Sequence, residues 1–583
     1  MKMSTMRCAS FFLLAITAVL NPVAAFGMKQ HAKATTTTTT LQSISNPNSV
    51  MNHRNSHYRR QQHVTPPSSF RRMTRPVRTS SSTQLSIANI NQFRGGADIV
   101  SNSVATFFQG AKQWNASPTS LFNTSFVAVA MLTAVFKILQ RISDYNSKNN
   151  ESTKSTEVTT PGRIKELQIK FLSVFWLLRC ADWLQGPYFY EVYASKVFNG
   201  VPASIALISR LFLTGFASTA VFGPLVGRAV DLYGRKSGTI AFSLIYAVGA
   251  LSTKSPLLLV LFLGRVFSGI GTSLLFSAPE SWLVAEAQKD GEDPDGKYLG
   301  ETFGLAYAGD SIVAILAGQL AGIAASQKGP TGPFELSTVF LAAGGLLAAF
   351  LWGENKATED GSASSGKPSI KDAIQVVKND PKIMLVGGVQ SLFEAAMYIF
   401  VLQWPPAISK AVAKAFGESS VTPYGAVFSC FMACCLFGST LFGQLAKMGV
   451  STEAFTLGML SVGTLAMSLA AFTVSSAASM SLPLLVASFF AFEACVGIYF
   501  PCIGTLRSKY VPDSHRSVIM NLFGIPLNVL VVGVFLSISK LGLSGALKIS
   551  AGALATATLF MLKLVMSIRA PNGESKAAVD SIP

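Results

Sequence analysis

Charge is what this chain has least of. Only 13% of its 583 residues are Asp, Glu, Lys or Arg, against about 25% in soluble domains, while half are hydrophobic and the mean hydropathy is +0.42. A water-soluble fold cannot cover that much apolar surface. Acid is missing altogether before Asp98, so twelve of the eighteen net positive charges fall in the first 97 residues and the basic excess belongs to a leader. That location removes the argument for a nucleic-acid partner. Cysteine is sparse: Cys8, Cys180, Cys430, Cys434, Cys435, Cys495 and Cys502 all lie in apolar stretches without metal-ligand spacing and read as small packing residues. Four of the five histidines (His31, His53, His57, His63) sit in the leader. The chain has no G-x-x-x-x-G-K-[ST] and no G-x-S-x-G elbow, and its one His-x-x-x-His spacing, His53 and His57, falls in the basic leader outside the apolar segments. The expectation is therefore a protein that is not an enzyme, with no metal and no cofactor.

The leader has two parts. Residues 1–27 have a basic start, an apolar stretch from Ser10 to Leu20 and small residues at Val23-Ala24-Ala25 before Phe26, the form of a cleavable signal peptide. Residues 28–117 open with the Thr35–Thr40 tract and continue Ser- and Arg-rich, a composition expected to stay disordered. A signal peptide followed by Phe and an acid-free Ser/Thr/Arg stretch resembles the bipartite presequences of algae with secondary plastids, which keeps a plastid envelope open beside the cell membrane. A secretory signal with a disordered tail fits the same residues.

A membrane-spanning helix needs about 20 mostly apolar residues. Such runs occur near 121–140, 167–190, 203–226, 237–254, 257–284, 300–325, 334–352, 383–405, 424–446, 453–475, 481–506, 515–539 and 544–568. The first, at 118–141, stands apart as an extra N-terminal helix, and the polar linker 353–380 divides the other twelve into bundles at 167–352 and 381–569, before a flexible tail at 570–583. Arg228, Arg235 and Lys236, then Lys356, Lys367, Lys371 and Lys378, then Arg507, Lys509 and Arg516 all fall on one side, which the positive-inside rule makes cytosolic. Lys137 and Arg141 place the end of the first helix there too.

Gly227-Arg228-Ala229-Val230-Asp231-Leu232-Tyr233-Gly234-Arg235-Lys236 follows the second core helix. It matches the G-x-x-x-D-x-x-G-R-K loop of the major facilitator superfamily, in which Gly227 and Gly234 permit a tight turn. Asp231 is expected to take the positive end of a helix and pair with Arg or Lys, a cluster able to latch one state of a transporter. A solvated basic loop is the plainer alternative. Arg265-Val-Phe-Ser-Gly269-Ile-Gly271 in the fourth core helix resembles the superfamily's R-x-x-x-G-x-G pattern, and Glu493-Ala-Cys-Val-Gly497 repeats its spacing in the tenth with an acid for the base. Asp182 and Glu394 echo each other in the first and seventh. The chain thus reads as an all-α membrane protein with the major facilitator fold, two six-helix bundles related by a pseudo-two-fold axis.

The string Arg179-Cys180-Ala181-Asp182-Trp183-Leu184-Gln185-Gly186-Pro187-Tyr188 points further. With Phe276–Trp282, Trp352-Gly353-Glu354-Asn355, Gln390–Glu394 and Gly497–Pro501, it resembles the eukaryotic molybdate-anion transporter family from Leu167 to Arg569. The resemblance implies a monomeric secondary transporter in the bilayer, carrying molybdate or another small anion across the cell membrane, with Trp183, Gln185 and Tyr188 near the site. One position departs: Gly524 stands before Ile525-Pro526-Leu527-Asn528 where that family is expected to carry Arg.

A charge at the bilayer centre costs about 2.5–3.5 kcal/mol on insertion scales. Arg179, Asp182, Arg265, Glu394 and Glu493 should therefore face one another or a wet cavity. Guanidinium suits an oxyanion because paired N–H groups reach two oxygens, so Arg179 and Arg265 are the substrate candidates and Asp182, Glu394 and Glu493 the candidates for proton coupling. A structural ion pair of Asp182 with either arginine is the rival. Asp310 and Glu280 are expected near helix ends, snorkelling outward, and Tyr188, Tyr190, Trp282, Trp352 and Trp404 mostly as interfacial anchors. A porter for a sugar or organic ion, and a non-transporting sensor of the same fold, remain as alternatives.

Overall fold

The computed structural model describes residues 117–150, 162–288, 297–356, 370–512 and 516–569, and these are helical almost throughout. The signal peptide, the leader up to residue 116, the middle of the linker and the tail after 569 lie outside the described residues.

Helix α1 (Pro118–Asn150) comes first. It runs past the expected end at 141, and it does not stand alone: Leu121, Phe122 and Val129 are buried in the same core as the second bundle, and Cys430 Sγ donates to Phe122 O at 3.2 Å. The first bundle begins with α2 (Gly162–Gln185), which continues through a 3-10 turn at Gly186–Tyr188 into α3 (Phe189–Ala194). A two-residue hairpin follows, β1 (Val197–Phe198) with β2 (Val201–Pro202), turning on Asn199 and Gly200 at φ 50° and 79°, the positive values a tight Asn-Gly turn requires. Then come α4 (Ile205–Tyr233), α5 (Arg235–Ser252), α6 (Leu258–Leu275) with its extension α7 (Ala278–Gln288), α8 (Lys297–Lys328) and α9 (Gly332–Leu351).

The linker is not uniformly irregular. Its last part forms α10 (Ile370–Asn379), whose Ala373, Val376 and Val377 pack on Ile383, Val511, Ile519 and Phe523. The second bundle is α11 (Pro381–Phe416), α12 (Tyr424–Lys447), α13 (Thr452–Thr473), α14 (Leu482–Tyr510), α15 (Arg516–Leu536) and α16 (Ile538–Arg569), the last broken at Gly542, φ 61°. Among the described residues nine helical stretches are long and apolar enough to cross a membrane, one of them, Tyr298–Leu351, holding both α8 and α9. α2 is not among them because Arg163, Lys165, Glu166, Lys170, Arg179 and Asp182 break its apolar run.

Helices in lipid gain nothing from leaving the lipid for one another, so close contact rests on small residues and dispersion. Gly269 of α6 lies against α4 so tightly that a Cβ would come 2.4 Å from Gly215 O, and Gly497 of α14 lies against α12, where a Cβ would come 1.9 Å from Cys435 O. The fourth helix therefore packs on the second in one bundle as the tenth packs on the eighth in the other, through glycines at equal spacing from Arg265 and Glu493. The internal repeat read from the spacing is a repeat of packing.

Trp282, Trp352 and Trp404 are not interfacial. Trp282 and Trp352 are 1% and 2% exposed and stack at 4.0 Å, and Trp404 is buried edge-on to Phe431. For Trp282 and Trp404 the helices run past the apolar segments, so residues near a run's end lie inside the fold. Trp352 caps the end of α9 and is held inward by its stack on Trp282 and by Nε1 donating to Lys170 O at 2.9 Å.

Candidate functional site

Arg179 is buried, and its guanidinium is fully engaged. Nε and Nη2 donate to the two oxygens of Asp310 at 3.0 and 2.9 Å, and Nη1 reaches Asp182 Oδ2 at 3.3 Å. Trp183 Nε1 donates to Asp310 Oδ1 at 2.9 Å and Tyr246 OH to Asp182 Oδ1 at 2.6 Å. The Trp183 and Phe276 rings flank the Arg179 guanidinium at 4.9 and 5.5 Å. Fork-to-fork geometry of this kind is the strongest an arginine makes, and within the first bundle one cation is shared between two carboxylates, bidentate to Asp310 and through its third nitrogen to Asp182. Asp310 is the residue most misplaced by sequence reasoning. It lies mid-way along α8, 7% exposed, and does not snorkel. Glu280 is half-buried and accepts from Tyr307 OH.

Arg265 is different. Its Nε is buried without a hydrogen-bond partner, and among the described residues no carboxylate pairs with it. Its guanidinium lies 4.5 Å from the Phe189 ring centroid and would meet any side chain added at Gly215, whose absent Cβ would stand 2.3 Å from Nη2. It lines a cavity of about 340 Å³ with Phe212, Phe216, Thr219, Gly269, Thr272 and Phe276 of the first bundle and Tyr398 of the second. The cavity thus lies between the bundles, and among the described residues Arg265 is the one charged residue on its wall.

On the second bundle's side Glu394 accepts from Tyr499 OH at 2.8 Å, one helical turn before Tyr398. The echo with Asp182 holds in chemistry but not in partner: Asp182 takes its tyrosine from the third core helix, Glu394 from the tenth. Glu493 is buried beside Cys434 and Cys435 of α12 and does not meet Arg265 or Glu394. Gln185 also lies apart, donating to Ser337 Oγ at 2.9 Å inside the first bundle. Tyr188 is at the junction of the bundles, its ring 5.7 Å from that of Tyr424, whose hydroxyl donates to Glu191 at 3.0 Å.

The loop motif is held by a residue outside it. Asp231 pairs with Arg235 at 3.2 Å, but the N-terminus of α5 is taken by Glu354, which accepts from the backbone N–H of Lys236 and of Ser237, each at 3.0 Å. Gly234, at φ 123°, supplies the turn that brings those N–H groups to the carboxylate. Arg235 N donates to Asn355 O, Asn355 Nδ2 to Trp282 O, and Trp282 Nε1 to Gly353 O. Arg228 and Gly227 stay outside this clamp. The signal for Glu354 was present in the Trp352–Asn355 string; its role was not readable because the contact spans 118 residues.

Comparison with known proteins fixes the family. Residues 131–492 match the family model described as sugar transporters with 12 transmembrane helices. The molybdate-anion transporter of Xenopus tropicalis is 30% identical over 410 residues, covering 70% of this chain and 86% of that protein. The chain belongs to the molybdate-anion transporter family of the major facilitator superfamily. The molybdate-anion transporter of Danio rerio is 29% identical with the same coverage. Among solved structures, a POT-family peptide transporter in complex with sulfate matches with a TM-score of 0.56 at 15% identity, over 71% of this chain and 95% of that one. A mutant form of the nucleoside transporter NupG matches with a TM-score of 0.51 at 16% identity, over 68% of this chain and 99% of that one. At such identities these structures establish the fold alone. This member of the molybdate-anion transporter family is a multi-pass integral membrane transporter, and the match covers both bundles up to Glu493's helix.

Proposed function

We propose that the chain takes up molybdate or a related oxyanion by alternating access of the cavity between its bundles. The observation that carries this reading is Arg265: a half-buried guanidinium with an unpartnered Nε on the wall of that cavity, while Arg179 is spent on Asp310 and Asp182. A buried donor without an acceptor is costly, and a bound oxyanion supplies the acceptor. Arg179 becomes a structural cation that sets the wall, through Phe276, against which the substrate rests. Of the acids suited to proton exchange, Glu394 is best placed, one turn from the cavity on the opposite bundle, whereas Glu493 sits among cysteines. The named substrate of the relatives supports the anion.

The test is molybdate uptake in a molybdate-starved host, with tungstate and sulfate as competitors. Losing a charged hydrogen bond in a desolvated site is worth about 1.5–3 kcal/mol, so Arg265→Ala should reduce uptake roughly tenfold to a hundredfold, with tungstate competing in the parent. Full uptake by Arg265→Ala sinks the assignment. The aromatic wall of Phe212, Phe216, Phe276 and Tyr398 favours a second reading, a porter for a larger organic solute; competition by sugars or organic anions and none by tungstate would select it.

A further inference from the structure

A second cavity lies outside the path between the bundles. It is about 490 Å³, set between α5, α8 and α9 at the membrane face opposite the Arg235 and Lys236 loop, where α5 and α8 end and α9 begins. Its rim carries three charges. Glu335 in the first turn of α9 accepts from Lys254 at 2.9 Å with one oxygen and from Lys328 at 2.7 Å with the other. The lysine side chains are 53% and 62% exposed, the carboxylate 20%. Each ammonium has three N–H donors and gives one to Glu335, so the rim keeps one net positive charge and free donors on two cations held by the same carboxylate.

Below the rim the walls are mostly apolar, built from Leu251, Leu320, Ile323, Ala324, Leu336 and Val339, with Gln327 and Thr338 as their uncharged polar members. Leu320 is eight residues from Lys328 along α8, so the groove descends about 12 Å from the charged rim toward the membrane interior. Leu251, Ile323 and Val339 are 47%, 56% and 61% exposed, open on the lipid side.

We infer that this groove is a binding site for an anionic phosphoglyceride, its phosphodiester bridging Lys254 and Lys328 and an acyl chain lying on Leu320, Ile323 and Val339. A free phosphate would use the rim and leave the apolar descent without an occupant. A zwitterionic lipid brings its own cation, which the lysines repel. The charge that remains after Glu335 matches one phosphodiester without a counter-cation.

The experiment is native mass spectrometry of the full chain in detergent, titrated with phosphatidylglycerol or phosphatidylcholine. Two lysines near an anionic group contribute about 1 kcal/mol each, so the Lys254→Gln/Lys328→Gln double variant should retain phosphatidylglycerol roughly thirtyfold less well than the parent. Phosphatidylcholine should bind both weakly and equally. Glu335→Gln, which frees both lysines, should keep or strengthen phosphatidylglycerol binding. The inference fails if the double variant retains phosphatidylglycerol like the parent, if the parent holds phosphatidylcholine as well, or if Glu335→Gln abolishes binding. It also fails if inorganic phosphate displaces the lipid at equal concentration, which would assign the rim to a free anion. All three positions line this groove and not the Arg265 cavity, so none of these results depends on the transported solute.

Discussion

At the scale of single residues, two arginines that look alike in sequence do different work. Arg179 and Arg265 each lie in an apolar run; Asp182, three residues on, is a local partner for Arg179, but the carboxylate that takes two of its nitrogens, Asp310, lies 131 residues away. Removing one member of a buried pair strands the other, at a cost of about 3–5 kcal/mol. Arg179→Ala should therefore lower the thermal stability of the purified protein sharply, while Arg179→Met with Asp310→Leu should recover most of it; equal melting temperatures for Arg179→Ala and the parent would contradict the network. Gly524 offers the reverse experiment. A Cβ there would meet only Asn528 Nδ2, at 3.9 Å, so Gly524→Arg should fold like the parent. With a second guanidinium restored where the family is expected to have one, its KM for molybdate should fall severalfold, and an unchanged KM would detach this position from substrate selection.

At the scale of elements, apolar length and turn residues made the helices legible: all thirteen runs correspond to helices, and the breaks at Gly234 and Gly542 fall at positive φ. What was hidden is how elements are held to one another. The loop after α4 was readable as a motif, yet its anchor, Glu354, comes from the end of α9, and only the fold brings the two together. A carboxylate on the first N–H groups of a helix is a cap of the ordinary kind, worth about 1 kcal/mol. Glu354→Ala should cost about that much in thermal stability and increase hydrogen exchange at Lys236 and Ser237, where Asp231→Asn should leave those two amides protected. Raised exchange in Asp231→Asn with protection kept in Glu354→Ala would return the capping role to Asp231. The depth of Asp310 was missed for a related reason: α8 begins at Lys297, in a polar sequence that carries no apolar signal of a helix, so the residue seemed nearer an end than it is.

At the scale of the whole molecule, the contacts between the bundles are unevenly placed. Phe212 meets Phe535 at 5.2 Å, Tyr188 and Glu191 meet Tyr424, and Ser429 Oγ donates to Ile315 O at 2.9 Å. Phe212, Tyr188, Glu191, Tyr424, Ser429 and Phe535 lie toward the helix ends away from the Arg235 and Lys236 loop, with Ile315 nearer mid-helix, so the bundles close on that face and the Arg265 cavity lies on the loop side of the seal. A transporter that works by rocking must break this seal once per cycle. Alternating access then makes a definite claim about Ile315 and Ser429, where the Ser429 side chain meets the Ile315 backbone carbonyl between α8 and α12: cysteines placed at both and joined by a reducible bifunctional thiol reagent should stop uptake, and reduction should release it again. Tyr424→Phe, which removes the hydrogen bond to Glu191, should weaken the seal and slow that cross-linking without abolishing uptake. Uptake that continues undiminished through the cross-linked pair would rule out rocking about this contact, since α8 and α12 would then be fixed to each other throughout the cycle.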